Sequence, residues 1–332
     1  MPIDWKRFAE VIAAHQRFLL TSHVRPDADA LGSELGFAGV LRALGKETMI
    51  VNAQATPPNL RFLDPFGQIK ALGVDVQPSQ LETVQVMVVL DTSAWIQLGA
   101  MADVVRATKA KRIVIDHHVS QDDLGAELFK DTTAEATGRL IVDAARALKV
   151  TLTPEIATPL FTAVATDTGW FRFGSASGDT YRCGGALVDA GAKPSAIYKQ
   201  LYEQDTLARL RLIGRTLAHA ETELNGRLIY TNVSQEDFAA TGALPSDTED
   251  VINMTLQVGG TEVAVICVEL ADGGVKFSFR SRPAASGTQI DCSRVAEQFG
   301  GGGHKAAAGA TLLEPCSTAL PKVLDAVRRA MR

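Results

Sequence analysis

The chain has 332 residues, more than one hydrophobic core usually supports, so two domains are expected. With 46% apolar and 21% charged residues it has the composition of an ordinary globular protein, and its N-terminus lacks the layout of a signal peptide. The net charge of −5 argues against a broad basic face that grips long nucleic acid. We therefore expect a cytoplasmic protein with a small or short ligand and no membrane segment.

The four cysteines have no CxxC spacing, which argues against a zinc site and against a disulfide framework. We expect them to be small buried or half-buried thiols.

Residues 1–191 alternate apolar, strand-like runs with helical periodicity, which predicts a parallel sheet covered by helices. Helices are predicted at 29–44, 132–148 and 154–166. The first has glycines at three- and four-residue spacing, which give it a smooth face that could lie close to the sheet: Gly32, Gly36 and Gly39.

Polar residues follow the apolar runs of this region where each run ends. Residues 18–20 lead to His23, Asp27 and Asp29, residues 84–90 to Asp91, residues 112–115 to Asp116-His117-His118, and residues 160–165 to Asp167. Since ligands bind at the carboxyl ends of parallel strands, these side chains should converge.

So many carboxylates in one place would force some of them to bind protons, and divalent metals remove that conflict. Mixed carboxylate and imidazole ligands suit manganese, and also magnesium, iron, cobalt or zinc. Two such ions are well matched to phosphoester hydrolysis. The alternative, that these residues are caps and turn residues, explains the aspartates but not paired histidines after a buried strand.

Residues 192–225 are helical and charged and predict a helical linker. Residues 226–332 predict a smaller α/β domain, with strands near 227–233, 261–270 and 275–280, a turn at 272–274, and helices at 292–299 and 317–332.

A glycine run, Gly300 to Gly303, ends in His304 and could cradle a phosphate, although such a run taken alone is more often a flexible turn. The preceding strand places four polar residues on one face by its period of two: Lys276, Ser278, Arg280 and Arg282. This face could bind a phosphate or a base, or it could be a solvated basic surface.

Taken together, these motifs resemble the DHH phosphoesterase superfamily. The N-terminal matches are His23-x-x-x-Asp27-x-Asp29, Asp91, Asp116-His117-His118 and Asp167-Thr168-Gly169, and residues 277–281 and 299–309 resemble the DHH-associated domain. Within the superfamily, the two-domain length is most similar to bacterial nano-RNases that also act as phosphatases of 3′-phosphoadenosine 5′-phosphate (pAp). One segment departs from the pattern, because Asp250 stands where relatives often carry glycine.

The resemblance implies an α/β fold with a larger parallel-sheet DHH domain at 1–191, a helical linker at 192–225 and a smaller substrate-binding domain at 226–332. It implies one metal ion on His23, Asp27 and Asp91, and a second on Asp29, Asp91, His117 and Asp167. It further implies that Asp116 orients His117, while His118 contacts the scissile phosphate. The implied catalytic residues are Asp91, Asp116, His117 and His118, and the implied substrate-binding residues are His118, Arg280, Ser281, Gly301, Gly302, Gly303 and His304.

We therefore expect a hydrolase with two divalent ions, with Mn²⁺ favoured over Mg²⁺ and Co²⁺. It would release nucleoside monophosphates from very short oligoribonucleotides and convert pAp to AMP. Alternatives are a cyclic- or linear-dinucleotide phosphodiesterase and, less favoured, a single-strand exonuclease, a pyrophosphatase or a non-catalytic nucleotide sensor. The sequence leaves open whether the protein is a monomer or a homodimer.

Overall fold

The computed structural model describes residues 3–332 and forms two compact units that divide between Gln204 and Asp205. The division falls within the predicted helical linker, and each helix there belongs to one unit. Ile197 of α7 (Pro194–Tyr202) is buried in the core of the first unit, and Leu212 of α8 (Leu207–Ala218) is buried in the second. Each helix buries an apolar stripe, so the segment is part of both units and not a separate connector.

The first unit is built on a six-stranded sheet in which every neighbouring pair is parallel, in the order β3-β2-β1-β4-β5-β6. This confirms the predicted parallel α/β fold. Its strands are β1 (Arg17–Thr21), β2 (Glu47–Asn52), β3 (Ile69–Ala71), β4 (Val86–Leu90), β5 (Lys111–Asp116) and β6 (Glu127–Lys130). Its other helices are α1 (Trp5–Ala14), α2 (Ala28–Ala43), α3 (Met101–Ala107), α4 (Thr137–Ala147), α5 (Pro154–Asp167) and α6 (Gly178–Asp189).

The glycine face of α2 packs against α5 and not against the sheet. An added Cβ at Gly32 would lie 2.4 Å from the Pro159 carbonyl oxygen, and one at Gly39 would lie 2.7 Å from Cγ1 of Ile156. The close approach that we predicted is present, but the partner is another helix. Since α2 carries Asp29 and α5 ends in Asp167, this contact sets the distance between two elements of the site.

The second unit contains a mixed sheet of six strands in the order β11-β12-β10-β9-β8-β7. Only the β8–β9 pair is parallel. The strands are β7 (Glu221–Glu223), β8 (Leu228–Val233), β9 (Val263–Glu269), β10 (Val275–Ser281), β11 (Gly302–His304) and β12 (Ala307–Leu312). The remaining helices are α9 (Gln235–Thr241), α10 (Val251–Thr255), α11 (Cys292–Glu297) and α12 (Cys316–Ala330).

Both faces of this sheet are covered, because its strands alternate between two cores. Val265 and Phe277 pack with residues of α11 and α12, whereas Ala264 and Ile266 pack with residues of α8 and α10. Asp250, just before α10, has a left-handed backbone with a φ of 64°. That conformation favours glycine, which is the residue that the family resemblance led us to expect at this position.

All four cysteines are free thiols, as expected. The structure adds a contact between two thiols that the spacing did not predict, because Sγ of Cys267 lies 3.3 Å from Sγ of Cys316. Within residues 3–332, no helix is long and apolar enough to cross a bilayer.

Candidate metal centre

The predicted site residues of the first unit lie at one edge of its sheet. The strands β1, β4 and β5 are neighbours, and all three run in the same direction. His23 follows β1, Asp91 follows β4, and Asp116 is the last residue of β5. Parallel neighbours end at the same edge, which is why residues nearly a hundred positions apart meet here.

The helices α2 and α5 supply the remaining carboxylates of the site from their ends. Asp27 caps α2 by accepting hydrogen bonds from the backbone N–H groups of Asp29 and Ala30. Asp29 lies in the first turn of α2, and Asp167 is the last residue of α5.

All six predicted ligands come together in two groups around Asp91. In the first, Nε2 of His23 lies 3.4 Å from an Asp91 carboxylate oxygen and 3.9 Å from one of Asp27. In the second, Nε2 of His117 lies 3.5 Å from Asp167, 3.6 Å from the other oxygen of Asp91 and 3.8 Å from Asp29. Three sets of donor atoms lie within 4.8 Å of one another, and each could share one cation: His23, Asp27 and Asp91; Asp29, His117 and Asp167; and Asp91, His117 and His118. That the six side chains bind metal stays a prediction.

The histidine ring orientations fit metal ligation. Nδ1 of His23 is 3.0 Å from the carbonyl oxygen of Val24, and Nδ1 of His117 is 3.2 Å from that of Ala134. A backbone carbonyl holds the proton on Nδ1, so the lone pair of Nε2 faces the carboxylates. An Nε2 lone pair that faces carboxylate oxygens is repelled by them unless a proton or a cation lies between them.

The carboxylates of the site also lack a compensating positive charge. Burial raises the pKa of Asp29 and, together with the Asp29 carboxylate, raises that of Asp91 well above its usual range. Burial and the charge of Asp29 raise the pKa of Asp167 to about 6. A divalent cation would offset both the burial and the mutual repulsion. The donor set therefore fits one or more hard or borderline divalent ions.

The backbone at Asp91 is strained, with a φ of 61°. Its N–H donates to the carbonyl oxygen of Ile115 at 3.0 Å, which holds the residue in this conformation. Non-glycine residues in the left-handed region are uncommon and concentrate at functional sites.

Asp116 contacts a different histidine from the one that the resemblance implied. Nδ1 of His118 donates to Asp116 at 2.9 Å, and the His118 backbone N–H donates to the same oxygen at 3.0 Å, whereas Nδ1 of His117 bonds Ala134. These two bonds close a three-residue turn through the Asp116 side chain and hold the second imidazole beside the carboxylate. Asp116 thus orients His118.

Lys130 and Ser93 complete the surroundings of Asp116, and neither was predicted. The Lys130 ammonium lies 3.0 Å from the second carboxylate oxygen, to which the Ser93 hydroxyl also donates at 2.6 Å. Although burial alone would raise the pKa of Asp116, the hydrogen bonds from His118, Ser93 and Lys130 lower it to about 2. The hydrogen bond with Asp116 in turn raises the pKa of His118.

Two further residues that sequence reasoning missed are Thr137 and Gly138, which hydrogen-bond Asp91 and Asp29. We predicted a helix from 132, but α4 begins at Thr137, and its first residues point at the site. Nothing in the local sequence marks these two residues as different from other helix residues.

The second unit has a candidate substrate face. Arg280 on β10 and His304 on β11 are both in register with Ala307 of the intervening strand β12. Residues directly opposite each other project from the same face, so Arg280 and His304 share a face about 10 Å apart, at two strand spacings. One row further, Ser278, Gly309 and Gly302 align and leave a shallow floor.

The second half of the glycine run lies in an edge strand, whereas we considered a phosphate cradle and a flexible turn. Residues 302–304 pair with β12, and the N–H of Gly301 donates to the carbonyl oxygen of Ala296. A Cβ at Gly301 would lie 2.1 Å from the Gly309 carbonyl oxygen, and one at Gly303 would lie 2.5 Å from that of Ala307. Close backbone packing thus accounts for these two glycines, while Gly302 has open space beside it.

Two other predicted residues of this unit have structural partners. The hydroxyl of Ser281 donates to the carbonyl oxygen of Ile290 at 2.7 Å, and its side chain is buried away from the Arg280 face. Arg282 donates to the carbonyl oxygens of Val258 and Thr261. Arg280 itself donates to the carbonyl oxygen of Phe279 at 3.0 Å, and that Arg280 and His304 bind a substrate stays a prediction.

Comparison with known proteins agrees with the geometry. Residues 17–164 match the DHH family N-terminal domain, and residues 225–332 match the DHHA1 domain. The bifunctional oligoribonuclease and PAP phosphatase NrnA of Thermus thermophilus is 32% identical, over 99% of this chain and 96% of that protein. The protein of the same name from Bacillus subtilis is 26% identical, over 91% of each chain.

Among solved structures, an exopolyphosphatase-related protein from Bacteroides fragilis has the same fold, with a TM-score of 0.83 and 23% identity over 98% of this chain and 94% of that one. The identity to the Thermus protein extends over both units, and the motif residues meet in the structure as they must for a common site. The chain therefore belongs to the DHH family, with a DHHA1 domain as its second unit.

Proposed function

We propose that this protein is a metal-dependent phosphoester hydrolase that releases nucleoside monophosphates from very short oligoribonucleotides and converts pAp to AMP. The observation that carries the proposal is the convergence of six metal-ligand side chains in two groups that share Asp91. The relatives named oligoribonuclease and PAP phosphatase, similar over nearly the whole chain, support this choice of substrates.

The two groups suit two divalent ions. One would be held by His23, Asp27 and Asp91, and the other by Asp29, Asp91, His117 and Asp167. Mn²⁺ accepts such a mixture of imidazole and carboxylate ligands most readily, and Mg²⁺ or Co²⁺ are the alternatives. Two divalent ions held by these residues would supply a more acidic bound water and would offset charge that develops on the phosphoryl oxygens.

His118 is the residue that we assign to the substrate phosphate. Its Nδ1 is engaged by Asp116, and its side chain is 45% exposed, so Nε2 remains available to a ligand. The hydrogen bond with Asp116 raises the pKa of His118, and in its protonated form the imidazole can donate a hydrogen bond to a phosphate oxygen or a proton to a leaving oxygen. Lys130 and Ser93 keep Asp116 ionised and fixed, and thereby keep His118 in place.

Arg280 and His304 are the substrate-binding residues that we propose in the second unit. An arginine can form a forked pair of hydrogen bonds with a terminal phosphate or stack on a base, and a histidine can add a further donor. Their separation of about 10 Å on a floor of small residues suits a ligand of nucleotide size.

The test is a side-by-side turnover assay with added Mn²⁺ on pAp, RNA dimers to pentamers, linear and cyclic dinucleotides, and pyrophosphate. We expect AMP from pAp and monophosphates from the short RNAs. Asp91→Asn should abolish turnover, because it removes the charge shared by both groups while keeping the side-chain shape. Asp103→Asn, which alters an aspartate whose side chain is 90% exposed, is the matched control and should remain active.

Two results would contradict the proposal. Full activity of a metal-loaded Asp91→Asn variant would exclude the proposed metal site. Exclusive cleavage of cyclic dinucleotides or pyrophosphate would exclude pAp and short RNAs as the substrates. Arg280→Ala should raise KM most for substrates with a terminal phosphate, and an equal effect on every substrate would contradict its assigned role.

A further inference from the structure

The first two residues of α4 bind two of the carboxylates at the centre of the candidate site. The Thr137 hydroxyl donates to Oδ1 of Asp91 at 2.9 Å. The backbone N–H groups of Thr137 and Gly138 donate to the two oxygens of Asp29, each at 2.8 Å. Thr137, Asp29 and Asp91 are all essentially inaccessible to solvent.

These contacts leave each carboxylate with capacity for a further ligand. A carboxylate has about four lone-pair sites. The α4 contacts occupy one on each oxygen of Asp29 and one on Oδ1 of Asp91, and the Ser33 hydroxyl, 3.3 Å away, occupies a second one on Oδ1 of Asp29. The same Asp29 and Asp91 oxygens lie 3.8 Å and 3.6 Å from Nε2 of His117. Oriented in this way, both side chains present their remaining lone pairs to the space between them and the imidazole.

Gly138 permits this approach of α4. A Cβ at this position would lie 2.6 Å from the Cβ of Ala163 on α5 and 3.3 Å from Oδ1 of Asp29. A side chain here would push α4 away from both α5 and Asp29. The position of the start of α4 therefore depends on glycine at residue 138.

We propose that Thr137 is a positioning residue of this centre, in which its hydroxyl sets the rotation of Asp91 while the α4 N–H pair of residues 137 and 138 sets that of Asp29. The inference rests on the proposed function for the identity of the ions. It concerns a side chain that would not itself contact an ion or a substrate. Partners of this kind that orient ligands change metal affinity or activity by about 10- to 100-fold when removed.

The experiment compares Thr137→Val, which keeps the shape and removes the hydroxyl, with Thr137→Ser, which keeps the hydroxyl. Thr133→Val is the matched control, because it removes an exposed threonine hydroxyl that donates to Asp131 at 2.7 Å, outside the site. Mn²⁺ binding is measured by calorimetry on the full chain, and kcat and KM are measured on pAp.

We expect Thr137→Val to bind Mn²⁺ about 10- to 100-fold more weakly and to lose kcat with little change in KM. Thr137→Ser and Thr133→Val should match the unmodified protein in both measurements. Should the valine variant fail to fold, Thr137→Ala carries the same expectation. Unchanged Mn²⁺ affinity and kcat in the folded variant, or equal losses in Thr137→Ser, would overturn the inference.

Failure of the proposed function has a different signature. In that case the unmodified protein would bind Mn²⁺ and turn over none of the proposed substrates. The effect of Thr137→Val on Mn²⁺ affinity would then still decide the positioning role.

Discussion

Gly32→Ala tests whether the contact between α2 and α5 holds the carboxylates of the site at their working separation. The added methyl would lie 2.4 Å from the Pro159 carbonyl oxygen and 3.0 Å from the Cβ of Ala163. Comfortable contacts need about 3.5 Å, so the helices must separate locally by about 1 Å. The oxygen belongs to the backbone and cannot rotate away as a side chain could.

The expected cost follows from two opposing effects. Overpacking of a core typically costs about 1–3 kcal/mol, whereas replacing glycine by alanine within a helix contributes about 0.5–1 kcal/mol of stability. The net expectation is a loss of about 1–2 kcal/mol in the free energy of unfolding. Because α2 carries Asp29 and α5 carries Asp167, a displacement of about 1 Å should also lower kcat by about 10²-fold.

Gly39→Ala provides the matched control on the same helix. Its methyl would meet a side chain, Cγ1 of Ile156 at 2.7 Å, and not a backbone oxygen. Ile156 lines a largely apolar cavity of about 890 Å³ near the C-terminal end of α2, far along the helix from Asp29, so it has room to move. This variant should retain both stability and activity.

The assay is urea unfolding of the metal-free protein, followed by steady-state kinetics on pAp with saturating Mn²⁺. Wild-type stability and kcat in Gly32→Ala would refute the reasoning, since the helices would then not be in tight contact. Equal losses in Gly39→Ala would also refute it, because the effect would then come from the loss of any glycine in α2.

Three further outcomes follow from the charges of the first unit. The raised pKa of Asp167, to about 6, means that the folded metal-free protein binds this proton more tightly than the unfolded chain. Its free energy of unfolding in chelator should fall as pH rises from about 4 through 6 and recover with Mn²⁺, so a flat urea-unfolding profile would contradict this. Lys130→Met leaves the buried Asp116 without its cation and should cost about 3 kcal/mol in chemical unfolding; an unchanged midpoint would show that Ser93 and His118 suffice. Burial raises the pKa of Glu34 from 4.5 to about 8, so the unmodified protein should lose stability as pH rises from about 4.5 to 8, whereas Glu34→Gln should not. Parallel stability profiles of the two proteins from pH 4 to 9 would exclude a buried neutral carboxyl.

The α/β order of the first unit and the location of its site could be read from the sequence. Strand β5 is apolar up to Ile115 and then turns abruptly to Asp116, His117 and His118. Parallel strands buried on both faces need continuous apolar runs, and polar groups at their ends need water or ligands. Those two requirements indicate the strand ends and gave eight candidate residues, from which the family resemblance implied six ligands; one of these, Asp167, ends the helix α5 and not a strand.

The orientation of individual side chains depended on the tertiary structure. Whether Asp116 bonds His117 or His118 is decided by a turn of three residues and by Lys130 on β6, which no spacing rule connects to it. The glycine run likewise has the composition of a phosphate loop, yet its pairing with β12 makes it an edge strand. Local pattern does not reveal a partner strand that lies a few residues further along.

Thr137 shows most clearly the difference between what the sequence predicts and what only the tertiary structure decides. A threonine in a predicted helix carries no periodic or motif signal, and the helix start itself was placed five residues too early. Its role arises because α4 begins where α2 begins and β4 ends, so that a hydroxyl and two N–H groups meet two carboxylates. The sequence determined which residue types could hold a metal, since burial makes isolated charges costly. Only the packing of helices on the sheet decided which neighbours hold those residues in place, because such contacts join positions with no relation along the chain.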